Sequence, residues 1–283
     1  MNQIGVIIPV YNGEKTIEKS ISSLLQQTYT DWLAIIIDDG STDNTKSILN
    51  KYSGRKQFHI VHFDKNRGRP YARQEGLEII KNKKIKYMCM LDADDWYYPD
   101  KLEYQYNFME KNNIVSLLSM SIGVTKIDNI LFRILEPFSH YTVLNYCSYN
   151  HYKPVPHASS IIRVKDIGNY NFDLFMKFGQ DQDFMRRFLL NKCYAFVPKI
   201  VYIYNREDSF SFNKYYNSMK FSRKSFKKLN LPILKTFKFY LNSYLKLIIV
   251  GVLCLFRLEK YYLSKIGREP SKNDIDTFRS LMK

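Results

Sequence analysis

The sequence contains few cysteines and no segment with the features of a secretion signal. Its four cysteines lie far apart without a CxxC pair, which excludes a disulfide framework or zinc ribbon and favours reduced thiols in a cytosolic protein. The N-terminus has no Lys or Arg before its apolar run, so this run predicts a buried strand and not a signal peptide. A composition of 45% hydrophobic and 25% charged residues excludes long disordered and fibrous classes.

Negative charge is scarce, above all towards the C-terminus. The formal net charge is +16, and residues 214–283 hold 16 Lys and Arg side chains against 4 acidic ones. Such an asymmetry predicts an anionic partner, which is either nucleic acid or a membrane surface.

Residues 1–213 alternate short apolar runs with amphipathic stretches. This pattern is typical of βαβ units and predicts an α/β domain with a Rossmann-like, mostly parallel sheet flanked by helices. Apolar residues at helical spacing predict a helix over residues 14–27, and Pro99 predicts the first turn of a helix that ends near Lys111. The runs that predict buried strands are IGVII, LAIII, HIVHF and YMCML.

Residues 214–283 predict a separate helical region that is both basic and apolar. Residues 214–238 carry eight basic side chains and no acid, and residues 239–256 contain a single charge, Lys246. A spanning helix needs about 20 apolar residues, whereas the uninterrupted run here has ten. We expect a helix that lies on or dips into the cytoplasmic leaflet and meets anionic head groups. A helical cap over the sheet and a true membrane span are the alternatives.

Polar residues follow three of the predicted strands, at the edge where parallel sheets bind ligands. Tyr11 follows the first strand, Asp39 the second, and Asp92 and Asp94 the fourth. An aromatic ring can stack on a base, and a carboxylate can accept a hydrogen bond from a base N–H or a ribose hydroxyl. The three clusters together outline a nucleotide site.

Asp92 and Asp94 form a DxD pair at a strand end. Two carboxylates at this spacing can hold one Mg²⁺ or Mn²⁺ ion whose other positions are open to diphosphate oxygens. Alone, such a pair more often serves in caps and turns than in metal binding. In register with the other two clusters, it favours a divalent cation as cofactor.

Several segments, taken in order, resemble the conserved blocks of the family-2 inverting glycosyltransferases. The resemblance covers about residues 3–213 and leaves out the basic tail. It implies the A-type glycosyltransferase fold, a nucleotide-sugar donor and a divalent cation. The segments are IIPVYNGEKTIEKSISSLLQQTYTDW, IIIDDGSTDNT, NRGRPYARQEG, MLDADDWYYPDKLE, PHASSIIRVKDIGNYNFDLFMKFGQDQDFMRRF and YNREDSFS.

The resemblance also implies roles for individual residues. Asp181, in the segment FGQDQDF, matches the aspartate that takes the proton from the acceptor hydroxyl. Within the DxD pair, the resemblance favours Asp94 as the direct metal ligand. The positions that match donor-binding residues are Pro9, Tyr11, Asp39, Arg73 and Asp92.

The sequence departs from the family pattern in two places. Gln180 stands where the family usually has a glutamate, which leaves the tuning of the base open and keeps Asp183 as a less favoured substitute. Arg206 stands where many relatives have a histidine, so a third protein ligand to the metal is in doubt. His157 either borders the acceptor cleft or is structural, and Trp96 either lines the sugar pocket or belongs to the core.

These features together predict an inverting, metal-dependent transferase that moves one sugar, with UDP the favoured nucleotide. The tail then predicts a lipid-linked saccharide acceptor and a peripheral location at the cytoplasmic face of the inner membrane, as in bacterial surface polysaccharide synthesis. We expect no nucleic acid partner.

Two other classes of function stay open. A nucleotidyltransferase would need a Gly- and Arg-rich phosphate loop that PVYNGEK does not offer, and the last class is a non-catalytic basic protein that binds membrane or nucleic acid.

Overall fold

The chain is built around a mixed β-sheet. A computed structural model describes residues 2–125, 130–144, 154–205, 211–229, 231–258 and 266–281. Arg206 lies outside these residues. Within them the strand order is β3-β2-β1-β4-β9-β6-β10-β5, with β7 added on β6 and β8 on β10. The strands are β1 (Ile4–Val10), β2 (Trp32–Asp38), β3 (Phe58–His62), β4 (Tyr87–Met90), β5 (Trp96–Tyr97), β6 (Val115–Thr125), β7 (Leu131–Leu135), β8 (Thr142–Leu144), β9 (Ile161–Arg163) and β10 (Cys193–Asn205).

The first four strands form a parallel block, as their apolar runs predict. β1 pairs in parallel with both β2 and β4, and β2 pairs in parallel with β3. The short strand β9 runs antiparallel between β4 and β6, and β6 pairs in parallel with β10. The six strands β1 to β4, β6 and β10 therefore point the same way, which confirms the predicted α/β class.

Helices flank the sheet on both faces. The predicted helix at residues 14–27 is observed as α1, and the helix predicted to end near Lys111 ends there as α4. The helices are α1 (Ile17–Leu25), α2 (Thr45–Asn50), α3 (Arg69–Asn82), α4 (Lys101–Lys111), α5 (Gln180–Leu189), α6 (Phe212–Lys227), α7 (Ile233–Leu255) and α8 (Lys272–Leu281).

Strand β1 is buried on both faces, so it carries a continuous apolar run and not an alternating one. Val6 and Ile8 face the core layer that contains Ile21 of α1 and Leu102 of α4. Ile7 faces the opposite layer, which contains residues of α3 and α5. Strand β1 is therefore packed between two core layers, one on each face of the sheet.

The C-terminal region is helical in its described parts, as predicted. α6 and α7 pack against each other through stacked Phe226 and Phe239 rings, whose centroids are 3.8 Å apart. Arg223 of α6 is buried between the helices and donates to Ser243 Oγ at 2.9 Å. Further along, Phe278 of α8 is buried in a cluster with Trp96 beside β5 and β10.

The outward face of α7 is apolar and uncovered by any part of the chain that the structure describes. Its exposed side chains recur at helical spacing, and the helix is long and apolar enough, by length and composition, to cross a membrane. The other face rests on α6, so α7 does not cap the sheet. The exposed side chains include Phe237, Leu241, Leu245, Ile248, Val252 and Leu255.

The close approach of α3 to β1 depends on Gly76. A Cβ atom at this position would lie 2.5 Å from Ile7 Cγ2. We expect Gly76→Ala to lower the free energy of unfolding by about 1–3 kcal/mol, because overpacking outweighs the gain in helix propensity. Chemical denaturation measures the change.

Ile7→Ala provides the matched second site, since it removes the atoms that the new methyl group would meet. In a double-mutant cycle, Gly76→Ala should cost less in the Ile7→Ala background than in the wild type. Equal costs in both backgrounds would contradict the assigned contact.

Candidate active site

A cleft of about 900 Å³ opens at the carboxyl ends of the parallel strands. It brings together residues that are widely separated in the sequence, from β1, β2, β4, α3 and the first turn of α5. The predicted site residues that line it are Pro9, Tyr11, Asp39, Arg73, Asp92, Asp94 and Asp181.

Tyr11 lies at the mouth of the cleft, and its side chain is 48% exposed. The loop that holds it is anchored to the loop after β2. The Asn12 N–H donates to Ser41 Oγ at 2.9 Å, and Asn12 Oδ1 accepts from the Thr42 N–H at 2.8 Å. The ring of Tyr11 is therefore presented on a fixed loop with a free face for stacking.

Asp39 is buried beside Tyr11 and organises the start of α3. Its two carboxylate oxygens accept from the backbone N–H groups of Arg67 and Gly68, at 2.7 and 2.9 Å. Burial raises the pKa of Asp39, while these two hydrogen bonds oppose the rise. Asp39 thus holds a cleft-lining loop, and a ligand would meet the remaining acceptor capacity of its oxygens.

Asp92 forms an ion pair with Arg73, with 3.0 Å between Oδ1 and a terminal guanidinium nitrogen. Arg73 is buried on α3, so the pair joins the end of β4 to that helix. Burial by itself would raise the pKa of Asp92, but the guanidinium groups of Arg73 and Arg69 outweigh it and hold the pKa low. Asp92 therefore remains ionised.

Asp94 is exposed in the cleft and forms no ion pair with a described residue. Partial burial and the neighbouring Asp92 carboxylate raise its pKa.

Asp95, in contrast to Asp94, is buried and has hydrogen-bond partners. It accepts from Tyr202 OH at 2.5 Å and from the Asn205 N–H at 2.9 Å. Burial, Asp94 and Asp92 raise the pKa of Asp95 to about 9, so it is protonated at neutral pH.

The donor set fits a divalent cation that also binds ligand oxygens. No group of three or more His, Cys, Asp or Glu side chains in the described ranges could enclose an ion. Mg²⁺, however, usually binds through one or two carboxylates, several waters and substrate phosphates. Asp94, with an unpaired carboxylate beside Asp92, matches that requirement.

The first turn of α5 places Asp181 at the wall of the cleft. The helix begins after Gly179, whose φ of 63° is readily adopted by glycine. Asp181 is partly exposed and lies in the first turn, where the helix dipole favours a negative charge. Gln180, in the position of the family's usual glutamate, is buried at the cleft wall.

Asp183 does not reach the cleft. It is fully buried and pairs with Arg187 of its own helix at 2.8 Å and with Lys228, just after α6, at 3.0 Å. Both of its carboxylate oxygens form ion pairs that hold α5 against the C-terminal helices, which argues against a role as a substitute base.

Trp96 is likewise absent from the cleft lining. It is buried under Lys19, with its ring centroid 3.2 Å from Nζ.

His157 lines the cleft and is only 3% exposed. Its ring lies near the rings of Phe172 and Phe184, with centroids 6.0 and 5.9 Å away. Burial, followed by the positive charge of Arg73, lowers the pKa of His157 to about 4, although Asp181 and Asp92 oppose this shift. The imidazole is therefore neutral at pH 7.

Some cleft residues are not evident from the sequence. Tyr202 and Tyr204 come from the end of β10, and Lys177 precedes α5. The only signal for the tyrosines is the alternation in VYIYN, which does not reveal which edge of the sheet the strand reaches. Arg69, at the start of α3, could be inferred from its place beside Pro70, a residue favoured in the first helical turn.

A protein-family model described as Glycosyl transferase family 2 matches residues 5–166. Among curated proteins, the putative teichuronic acid biosynthesis glycosyltransferase TuaG of Bacillus subtilis is 39% identical over 107 residues, 38% of this chain and 41% of that protein. The Escherichia coli UDP-Glc:alpha-D-GlcNAc-diphosphoundecaprenol beta-1,3-glucosyltransferase WfgD is 36% identical over 111 residues, 39% of this chain and 42% of WfgD. An uncharacterized glycosyltransferase of Rickettsia felis is 42% identical over 113 residues, 40% of this chain and 18% of that protein. The chain thus spans less than half the length of these relatives.

Solved structures share the fold at low sequence identity. Staphylococcus aureus TarS, residues 1–349 in complex with UDP-GlcNAc, has a TM-score of 0.65 at 19% identity, covering 87% of this chain and 73% of that one. The mannosyltransferase PcManGT from Pyrobaculum calidifontis, in complex with GDP-Man and Mn²⁺, has a TM-score of 0.60 at 14% identity, covering 99% and 80%. These likenesses confirm the predicted A-type fold.

Proposed function

The chain belongs to glycosyl transferase family 2, and we propose that it moves one sugar from a nucleoside-diphosphate donor to a saccharide hydroxyl with inversion. The observation that carries the proposal is the convergence in one cleft of the Asp92–Asp94 pair and Asp181. We assign the diphosphate to the Asp92–Asp94 pair and the acceptor to the side of Asp181, which lies in the first turn of α5. A donor and an acceptor can therefore lie between them.

The donor binds along the edge formed by β1, β2 and β4. The exposed ring of Tyr11 stacks on the base, with Pro9 and Asp39 beside it, and Arg73 lies on the side of the diphosphate. UDP-sugar is the favoured donor, since TarS was solved with UDP-GlcNAc and WfgD is named for UDP-Glc. GDP-sugar is the second candidate, because PcManGT was solved with GDP-Man.

Asp94, with Asp92 as its neighbour, would hold a divalent cation against the diphosphate. The unpaired carboxylate of Asp94 and its raised pKa support this assignment, because a bound cation would relieve the repulsion from Asp92. When bound, Mn²⁺ or Mg²⁺ supplies positive charge that stabilises the departing diphosphate. Arg73, already paired with Asp92, adds fixed positive charge nearby.

Asp181 acts as the general base. The acceptor hydroxyl gives its proton to the Asp181 carboxylate as its oxygen bonds to the anomeric carbon. The bond from that carbon to the diphosphate breaks, and the diphosphate leaves with the electron pair. A single in-line displacement inverts the anomeric centre. Gln180 beside the base carries no charge, so Asp181 works without the usual neighbouring carboxylate.

The acceptor is a lipid-linked saccharide at the cytoplasmic face of the inner membrane, in surface polysaccharide synthesis. The name of WfgD, which includes a diphosphoundecaprenol acceptor, and that of TuaG support this assignment. The apolar face of α7 and the exposed lysines of α6, which include Lys220, Lys224 and Lys227, match an anionic lipid surface. We favour a helix that lies in the interface over one that spans the membrane.

Donor binding is tested by thermal shift with UDP, dTDP, GDP and CDP, each with and without Mn²⁺. One nucleotide should stabilise the protein only with the metal, by about 2.7 kcal/mol at 100 times its dissociation constant. Asp94→Asn should abolish the stabilisation. Asp31→Asn is the matched control, since Asp31 is exposed before β2, at the other end of the strand. Retained stabilisation in Asp94→Asn would overturn the assigned metal site.

Asp181→Asn should lower kcat by about 10²- to 10⁴-fold, the usual worth of a general base. Nucleotide binding, measured by the same thermal shift, should be unchanged because we assign Asp181 to the acceptor and not to the diphosphate. Product formation from a radiolabelled nucleotide sugar measures kcat. Turnover within tenfold of wild type would show that the base is another group.

Membrane binding is tested by sedimentation of the full chain with vesicles that contain anionic lipid. Ile248→Glu on the exposed face of α7 should reduce binding at least tenfold, because burying a carboxylate in lipid is costly. Ile114→Glu, at an equally exposed position before β6, should leave binding intact. Equal binding by both variants would reject the α7 surface, and resistance of bound protein to alkaline extraction would favour the spanning alternative.

A further inference from the structure

Two buried polar groups in the cleft lack hydrogen-bond partners among the described residues. Both ring nitrogens of His157 are unpaired, and so is Nε of Arg73. His157 and Arg73 are only 3% and 5% exposed. A buried donor or acceptor without a partner costs about 1–3 kcal/mol, so native proteins rarely keep one without a reason.

The two groups belong to one region of the cleft. Arg73 uses a terminal nitrogen to bind Asp92 at 3.0 Å, which leaves Nε for another acceptor. The ring of His157 lies within electrostatic range of Arg73, Asp92 and Asp181. His157 therefore lies near both the residues that we assign to the diphosphate and the one that we assign to the base.

These groups favour a neutral ligand that can both donate and accept hydrogen bonds. A neutral imidazole offers one N–H donor and one acceptor nitrogen, and Arg73 adds an Nε–H donor. An ionised diphosphate accepts only, so it would leave the acceptor nitrogen unpaired. The two ring nitrogens point in different directions, so two hydroxyls of a sugar, each able to donate and to accept, can serve one nitrogen each.

We propose that His157 and Nε of Arg73 form a subsite that hydrogen-bonds hydroxyls of the transferred sugar and so positions the sugar between Asp92 and Asp181. This inference rests on the proposed function, because it takes the donor to be a nucleotide sugar. The rings of Phe172 and Phe184 hold the imidazole in place from the core side. A role in packing alone would leave both nitrogens unsatisfied.

Nitrogen-15 NMR of histidine-labelled protein tests the subsite directly. The chain has five histidines, so the spectrum of His157→Gln identifies the signals of this ring. With Mg²⁺ present, UDP-glucose and UDP-GlcNAc should be added separately, each compared with UDP. At least one sugar nucleotide should shift the His157 signals, whereas UDP should not.

The outcomes separate this inference from the proposed function. If a sugar nucleotide stabilises the fold but leaves the His157 signals where UDP leaves them, the subsite is wrong and the proposed function stands. If no nucleotide or nucleotide sugar of the thermal-shift panel, extended to UDP-glucose, UDP-GlcNAc and GDP-mannose, binds, both are rejected.

Affinity gives a second readout. His157→Leu should weaken binding of the responding sugar nucleotide about 3- to 10-fold, the worth of one hydrogen bond, and leave UDP affinity unchanged. His157→Gln, which can still donate and accept, should recover part of the loss. A merely structural histidine would weaken both ligands equally, and an unchanged ratio of the two affinities would overturn the proposal.

Discussion

Three aspartates at the end of β4 bring three carboxyl groups together at one edge of the sheet, and the surrounding structure depends on how each of them is stabilised. Asp92 is neutralised by Arg73, which ties the strand to α3. Asp95 is buried and protonated, and it accepts a hydrogen bond from the Tyr202 hydroxyl of β10. Asp94 alone keeps an unpaired carboxylate towards the cleft. One charge is thus left for a ligand, while the other two groups join the strand to its neighbours.

The helix that carries Asp181 links this edge to the C-terminal region. Its buried face packs on the sheet, while Asp183 pairs with Lys228, and Arg186 donates to Ser225 Oγ at 2.6 Å. α6 in turn packs on α7, whose apolar face is exposed. The proposed base and the proposed lipid-binding surface are therefore parts of one continuous helical layer. A membrane-bound acceptor would then be met by groups already fixed relative to that surface.

Much of the fold follows from patterns in the sequence, but β6 does not. The runs of β1, β2 and β4 are apolar throughout because both sheet faces are covered, and this makes them recognisable. β6 is also fully buried, yet its sequence, VSLLSMSIGVT, mixes serines with apolar residues. Two of its serines find partners only in the folded chain: Ser119 Oγ donates to the Pro156 carbonyl at 3.4 Å and Ser121 Oγ to Glu136 at 3.1 Å. Local polarity thus concealed a central strand.

By itself the sequence determined the α/β class, the mostly parallel sheet and the family, since these depend on local periodicity and on motifs of adjacent residues. It also predicted the site residues of β1, β2, β4, α3 and α5 that now line the cleft, but not Lys177, Tyr202 or Tyr204. Only the tertiary structure decided that Asp183 and Trp96 point into the interior while His157 lines the cleft. The physical reason is that side-chain direction and hydrogen-bond partners depend on contacts between residues far apart in the chain. The exposure of α7 was decided in the same way, by α6 covering one face and leaving the other apolar face open.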